Sequence, residues 1–306
     1  MPLFRRVLLL FATALCAFFA LSACGSSSTG SATGGSAASG AIPIVAAENF
    51  YGDVVKQIGG SHVDVTSILS DPNVDPHEYE SNVNNAKAVT KAKLVIESSG
   101  GYDGWMDKLL SASPNSSRLL IKGFDLAPTK LPDNVHVWYN VDNMVAIAQT
   151  MTDDLKKLDA TDASTFDSNF QTFKQSLDQV HTKMSEIKAK YSGSPVGLTE
   201  TIYLYQTQPL GLKVLTPFEF QKAMAEGNDP PADTVIAAEN QVKGKQIKIL
   251  IYNQQTVSPV TTKLQNDAKA EQIPIVPVTE TMPPNKHYQS WMLDQLNALE
   301  NGLGSK

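Results

Sequence analysis

The segment that decides the fold runs from residue 162 to residue 195 and reads DASTFDSNFQTFKQSLDQVHTKMSEIKAKYSGSP. Its apolar side chains recur at alternating steps of four and three, which is the spacing of one stripe along an α-helix. The stripe consists of Phe166, Phe170, Phe173, Leu177, Val180, Met184, Ile187 and Tyr191. A coiled-coil dimer is the alternative interpretation. We favour a single helix packed along its own chain, because fewer than four heptads seldom suffice for a coiled coil.

On both sides of this helix, short apolar runs alternate with helical patterns, which predicts parallel sheets flanked by helices. The strand candidates are Ile44–Ala46, Val63–Val65, Leu94–Ile96, Leu119–Ile121, Pro195–Leu198, Val214–Leu215, Ile247–Tyr252 and Ile275–Val278. The helix candidates are Phe50–Ile58, Val83–Ala92, Trp105–Leu110, Met144–Leu158, Ile202–Gln208, Ala232–Val242, Pro259–Ala270 and His287–Leu299. The chain is therefore expected to hold two α/β halves with the long helix between them.

The N-terminus is typical of a secretory signal, since a short basic start is followed by an apolar run from Val7 to Leu21 that is short for a membrane span. Leu21-Ser22-Ala23-Cys24 resembles the lipobox of bacterial lipoproteins, in which the cysteine is acylated. An uncleaved anchor is the alternative. Residues 25–41 are almost all Gly, Ser, Ala and Thr, which predicts a flexible tether. These features predict a protein anchored through Cys24 on the extracytoplasmic face of a bacterial cell membrane.

The predicted organisation follows from these segments. Residues 1–23 form the signal peptide, 24–41 the lipidated Gly/Ser tether, 42–140 the N-terminal lobe, 141–192 the linker helices and 193–306 the C-terminal lobe. The formal net charge of −6 and the lack of any basic cluster argue against a nucleic-acid partner. Cys16 and Cys24 are the only cysteines, and Cys16 lies in the signal peptide. Thiolate ligation of a metal and an internal disulfide are thus excluded for the mature chain.

Four potential metal ligands stand where predicted strands run out: His77, His136, Glu200 and Glu280. In parallel α/β sheets, ligands bind in the crevice outside the carboxyl ends of the strands. Two imidazoles and two carboxylates could close around one divalent cation without leaving the site strongly charged. His287 is the rival for the fourth position, because it is close in sequence to Glu280.

The remaining histidines are weaker candidates. His62 follows Gly59-Gly60 in a turn, and His181 flanks the packing stripe of the long helix. Neither stands at a predicted strand end.

Asp75-Pro76-His77-Glu78-Tyr79-Glu80 and His136-Val137-Trp138 resemble signatures of the zinc/manganese family (cluster A-I) of ABC-transporter substrate-binding lipoproteins. The likeness extends along Ile42–Gly302. It implies two Rossmann-like lobes with parallel sheets, joined by a single long backbone helix, and one buried metal between them. It also implies a membrane permease as partner.

The family's ligand positions fall on His77, His136, Glu200 and, with glutamate in place of the usual aspartate, Glu280. The chain is expected to act as a monomer that carries one divalent transition metal. Oxygen-rich ligation favours Mn²⁺, with Zn²⁺ next and iron third. A metal-dependent hydrolase and a surface adhesin with a structural metal are the alternatives. We expect no enzyme, because four protein ligands leave little room for substrate and no G-x-S-x-G, H-E-x-x-H or P-loop pattern occurs.

Overall fold

The computed structural model describes residues 40–72, 74, 76 and 79–305. The predicted signal peptide, the predicted lipidation site Cys24 and the predicted tether up to residue 39 lie outside these residues, as does His77. Among the described residues, no helix combines the length and the apolar character that crossing a bilayer requires.

The N-terminal lobe is built on a parallel sheet whose strands have the order β2-β1-β3-β4. The central strands β1 and β3 are buried almost without interruption, which is typical of a parallel sheet covered on both faces. The elements are β1 (Ile42–Glu48), α1 (Asn49–Gly59), β2 (Val63–Leu69), α2 (Val83–Lys91), β3 (Leu94–Glu97), α3 (Gly104–Ala112), β4 (Leu119–Lys122) and α4 (Gly123–Leu126).

Three helices connect the lobes: α5 (Val141–Leu158), α6 (Ala163–Ser176) and α7 (Asp178–Tyr191). The C-terminal lobe repeats the first topology, with a parallel sheet of order β6-β5-β7-β8. Its elements are β5 (Pro195–Leu198), α8 (Leu204–Leu210), β6 (Lys213–Val214), α9 (Phe218–Ala225), α10 (Ala232–Lys243), β7 (Ile249–Asn253), α11 (Pro259–Ala270), β8 (Ile275–Val278) and α12 (Tyr288–Gly304).

The predicted long helix is present as two helices, α6 and α7, that meet at Leu177. The backbone there stays right-handed helical, but the Leu177 amide bonds the carbonyl of Lys174, three residues back, instead of the carbonyl four back. The Ser176 hydroxyl donates to the Phe173 carbonyl at 2.6 Å, a local side-chain bond of the kind that competes with helical pairing. Helix α6 contacts α1 of the first lobe, whereas α7 contacts α8 and α12 of the second. The interruption therefore lies where the chain passes from one lobe to the other.

One apolar core extends through both lobes. Phe50 of α1 stacks on Trp138 with ring centroids 4.7 Å apart and lies 6.0 Å from the ring of Trp291 on α12. The lobes are also joined by polar contacts, since the Tyr288 hydroxyl donates to the Trp138 carbonyl at 2.6 Å. Asn49 makes two hydrogen bonds with the backbone of Met282, one as donor and one as acceptor. The lobes thus share buried surface besides the connecting helices.

The α/β class, the parallel sheets and the two-lobe plan are confirmed. Every predicted strand overlaps an observed one, and the apolar stripe of α6 and α7 is buried or partly buried against the chain's own core. Helix α9 was not predicted, because its sequence FEFQKAMA is too short to display a clear period.

Candidate metal centre

Three of the predicted ligands meet between the lobes. His136, Glu200 and Glu280 each offer a ligand atom that lies within 4.8 Å of the other two. Their side chains are 1%, 2% and 0% exposed, respectively. Buried acids and imidazoles at such short distances are costly unless they are paired, hydrogen-bonded or bound to a metal. This cluster is the candidate metal centre.

The topology of the C-terminal sheet explains why the two acids meet. Glu200 follows β5 by two residues and Glu280 follows β8 by two residues, while β7 lies between those strands. Parallel strands end at the same edge, and the order β6-β5-β7-β8 reverses direction between β5 and β7. Glu200 therefore lies at the switch point where ligands bind in open α/β sheets, and Glu280 lies at the same edge of the sheet.

His136 is oriented by its neighbour Asn134. The Asn134 amide nitrogen donates to the Thr201 carbonyl at 2.7 Å, so its oxygen is the atom that faces His136. That oxygen accepts the His136 backbone N–H at 3.1 Å and lies 2.9 Å from Nδ1. Because an amide oxygen can only accept, Nδ1 carries the proton. Nε2, the other ring nitrogen, lies 3.7 Å from Glu280 Oε2.

Asn253, the last residue of β7, joins the two acids. Its amide nitrogen Nδ2 lies 2.8 Å from Glu200 Oε1 and 2.5 Å from Glu280 Oε1. It also lies 2.9 Å from the Thr256 hydroxyl. The Asn253 oxygen accepts the Gln255 N–H at 3.0 Å, which fixes the orientation of the amide. Sequence analysis did not select Asn253, although this residue directly follows the predicted strand Ile247–Tyr252 and the rule that selected Glu200 and Glu280 applies to it.

Tyr102 reaches the cluster from the N-terminal lobe, and its hydroxyl donates to Glu280 Oε2 at 2.8 Å. Burial and the neighbouring Glu280 carboxylate raise the pKa of Tyr102 well above its ordinary value, which keeps the hydroxyl a neutral donor. Tyr102 follows three consecutive residues with positive φ, Ser99, Gly100 and Gly101. Asp103 closes this turn by accepting the backbone N–H groups of Ser98 and Ser99, each at 2.7 Å.

Gln255 ties the C-terminal lobe to the segment that carries His77. Its amide nitrogen donates to the Val74 carbonyl at 2.8 Å and to the Thr281 hydroxyl at 3.0 Å. Its oxygen accepts the backbone N–H of Glu280 at 2.6 Å. The side chain of Gln255 thus bonds both the backbone of Val74, three residues before the predicted ligand His77, and the backbone of the predicted ligand Glu280.

The structure does not bring the other histidines to this cluster. His287 caps α12 at the surface, where its Nδ1 lies 2.7 Å from Asp53. His181 faces Asp142 at 3.5 Å on the outside of α7. His62 forms a separate, half-exposed group with Asp159 and Asp162, whose ligand atoms also lie within 4.8 Å of one another. His287 is therefore not the fourth ligand of the buried cluster.

A cavity of about 400 Å³ reaches His136 from one side of the cluster, and its lining includes Gly100 and Thr201. Lys222 also lines it and forms an ion pair with Asp133 at 3.1 Å. Small solutes have space beside the imidazole without displacing the buried acids.

Comparisons with known proteins agree with this geometry. The chain is 26% identical over 194 residues to the metal ABC transporter substrate-binding lipoprotein ScbA of Streptococcus cristatus, a match that covers 59% of this chain and 60% of that protein. It is 26% identical over 175 residues to the manganese-binding lipoprotein MntA of Bacillus subtilis, covering 55% of each. The matches to these two relatives thus span little more than half of their length. Their names describe substrate or metal binding, not catalysis.

Among solved structures, the periplasmic zinc-binding protein TroA from Treponema pallidum has a TM-score of 0.75 at 15% identity, covering 87% of this chain and 100% of that one. A structure of ZnuA has a TM-score of 0.71 at 17% identity, covering 86% and 100%. At such identities the likeness establishes the fold alone. The family described as zinc-uptake complex component A, periplasmic, matches residues 44–302. The chain therefore belongs to that family.

Proposed function

We propose that this protein is the extracytoplasmic substrate-binding component of an ABC importer, which captures one divalent transition metal between its lobes and delivers it to a membrane permease. The observation that carries the proposal is the buried group of His136, Glu200 and Glu280, whose ligand atoms lie within 4.8 Å of one another. One imidazole and two carboxylates suit a divalent cation of the first transition row. His77 is proposed as the fourth ligand.

The relatives support the same interpretation. ScbA and MntA are named a metal ABC transporter substrate-binding lipoprotein and a manganese-binding lipoprotein, and the solved structure of TroA is named zinc-binding. We propose Mn²⁺ or Zn²⁺ as the cargo of this chain. Carboxylate oxygens suit Mn²⁺, whereas intrinsic affinity for a given set of ligands rises from Mn²⁺ toward Zn²⁺.

The proposed anchor is a lipid on Cys24, which would hold the folded lobes of a monomer near the permease. Cys24→Ser is expected to release the protein from the membrane fraction without changing its metal affinity. Fractionation of cells that express each form tests the anchor. Retention of the variant in the membrane would contradict it.

The metal site is tested by titrating the metal-free protein with Zn²⁺ and Mn²⁺ in a calorimeter, with native mass spectrometry to count bound ions. One ion per chain is expected, and His77→Ala or His136→Ala should each abolish tight binding while the circular dichroism spectrum stays unchanged. Replacing the surface histidine gives the control, so His287→Ala should bind like the wild type. Unchanged affinity in both ligand variants would remove the proposed site.

A further inference from the structure

A turn at the carboxyl end of β3 brings Tyr102 of the N-terminal lobe to the acids of the C-terminal lobe. We propose that Tyr102 is a positioning residue that directs the Glu280 carboxylate toward the ion, and that Asp103 acts through Tyr102 by holding the turn in shape. This inference rests on the proposed function, because it concerns the same metal site. It assigns a role in metal affinity to two side chains outside the proposed ligand set.

The hydroxyl of Tyr102 carries the first step. It donates to Glu280 Oε2 at 2.8 Å, and this oxygen lies 3.7 Å from Nε2 of His136. The other oxygen of Glu280 accepts the amide of Asn253 at 2.5 Å. The two bonds come from opposite lobes, so together they restrict rotation of the carboxylate and keep Oε2 directed toward His136. An ionised carboxylate has about four lone-pair sites, so Oε2 can accept from Tyr102 and still bind an ion.

The ring of Tyr102 is fixed by packing. Tyr102 is 2% exposed, and its ring makes edge-to-face contacts with Trp138 and His136 at centroid distances of 4.7 Å and 5.7 Å, respectively. Aromatic pairs favour this geometry. The hydroxyl therefore reaches Glu280 from a ring that packs against another proposed ligand. Removal of the hydroxyl alone leaves this packing in place.

Asp103 holds the backbone that leads to Tyr102. Ser99 has a φ of 61°, which is costly for a residue other than glycine and persists where the surroundings enforce it. Asp103 supplies this constraint, since one of its oxygens accepts the N–H of Ser98 and the other the N–H of Ser99, each at 2.7 Å. Asp103 stands at the N-cap of α3, where a carboxylate usually accepts N–H groups of the helix that follows. Both of its oxygens here face the preceding turn.

The first test replaces Tyr102 and measures Zn²⁺ affinity by competition with a coloured chelator. Partners of ligating carboxylates are worth about 10–100-fold in metal affinity, so Tyr102→Phe should bind Zn²⁺ more weakly by that factor. Tyr288→Phe is the matched control, because it also removes a buried hydroxyl that bonds across the lobes, but one that donates to the Trp138 carbonyl. This control should bind like the wild type. Wild-type affinity in Tyr102→Phe, or an equal loss in Tyr288→Phe, would overturn the inference.

The second test is a double-mutant cycle, which separates a role through Tyr102 from a general effect on the fold. Asp103→Asn keeps one acceptor oxygen and replaces the other by a donor, so the turn loses one of its two bonds. This change should weaken Zn²⁺ binding in the wild-type background and cause little further loss in Tyr102→Phe. Equal losses in both backgrounds would show that Asp103 does not act through Tyr102.

If Asp103→Asn does not fold, the comparison of Tyr102→Phe with Tyr288→Phe decides the inference by itself. A wild-type protein that binds no stoichiometric Zn²⁺ would instead overturn the proposed function.

Discussion

Asn134 decides which nitrogen of His136 faces the two acids. Its amide is oriented by the backbone of Thr201, which belongs to the opposite lobe, so the tautomer of the proposed ligand His136 in one lobe depends on backbone in the other. Partners of this kind fix the ring and raise its basicity toward a metal. Their loss leaves every ligand present but poorly oriented.

We therefore expect Asn134→Leu to weaken metal binding about 10–100-fold although no ligand is removed. Asn134→Asp keeps an acceptor for Nδ1 and should lose much less. Competition with a coloured chelator at neutral pH measures both affinities. Equal affinity in Asn134→Leu and the wild type would show that His136 needs no such partner.

Two strands of the N-terminal sheet also end in buried acids, but these acids have partners inside their own lobe. Glu97 ends β3 and pairs with Lys122 at 3.0 Å, while Glu48 ends β1 and accepts the Ser98 hydroxyl at 3.0 Å. Burial and the nearby Asp103 raise the pKa of Glu48 well above its ordinary value. Burial likewise raises the pKa of Glu97 to about 7, with Lys122 opposing the shift.

The shift at Glu97 predicts a pH dependence of stability. Below its ordinary pKa of 4.5 the carboxyl is protonated in the folded and unfolded states alike; between 4.5 and about 7 only the folded state keeps the proton. The contribution of the Glu97 carboxyl to the free energy of unfolding is therefore lost as the pH rises from 4.5 to about 7. The difference in melting temperature between wild type and Glu97→Gln should decline from pH 4.5 to pH 7. A constant difference in melting temperature across this pH range would contradict the assignment.

Gln255 couples the end of β8 to the segment that precedes His77. We expect Gln255→Leu to speed metal release into excess chelator by about tenfold, since the backbone on both sides of the site loses its shared partner. The neighbouring Gln254 is exposed, so Gln254→Leu is the control. Stopped-flow dissociation of Zn²⁺ or Mn²⁺ measures the rate. Identical rates in Gln255→Leu and wild type would exclude this coupling.

The position of a residue at the end of a strand predicts some residues of the candidate site correctly and fails for others. The rule that ligands gather at the carboxyl ends of parallel strands selected Glu200 and Glu280, which the structure brings together. The same rule would also select Glu48, Glu97 and Asn253. Glu48 and Glu97 instead contact residues of their own lobe, Ser98 and Lys122 respectively. Residue type and spacing do not reveal which strand end faces the other lobe, because that depends on how the lobes pack.

The connecting helices show a similar limit. The stripe from Phe166 to Tyr191 keeps its period through Leu177, so periodicity predicts one helix. The interruption comes from the Ser176 hydroxyl and a change of hydrogen-bond partner, neither of which alters the apolar pattern. The apolar period therefore predicts which side of the helix is buried. It does not predict whether the helix is continuous.

At the scale of the whole molecule, the shared core predicts that the two lobes unfold together. Phe50 packs on Trp138 and Trp291. Phe50→Ala should therefore lower the free energy of unfolding by about 3–5 kcal/mol and lower the temperature of the single unfolding transition. Differential scanning calorimetry of the metal-free protein should record one transition in both forms. Val83 is apolar but 70% exposed, so Val83→Ala should leave the transition temperature nearly unchanged. Two separate transitions, one of them indifferent to Phe50→Ala, would show that the lobes are independent.

The interruption between α6 and α7 at Leu177 is a point where the connection between the two lobes can bend. Helix α6 packs on the first lobe and α7 on the second, so bending at Leu177 would rotate one lobe relative to the other. A small rotation at Leu177 would give a larger displacement at the candidate metal centre, where it would separate Tyr102 from Glu280. The proposed cargo ion would then be released without the wide opening of the lobes that a flexible crossover permits.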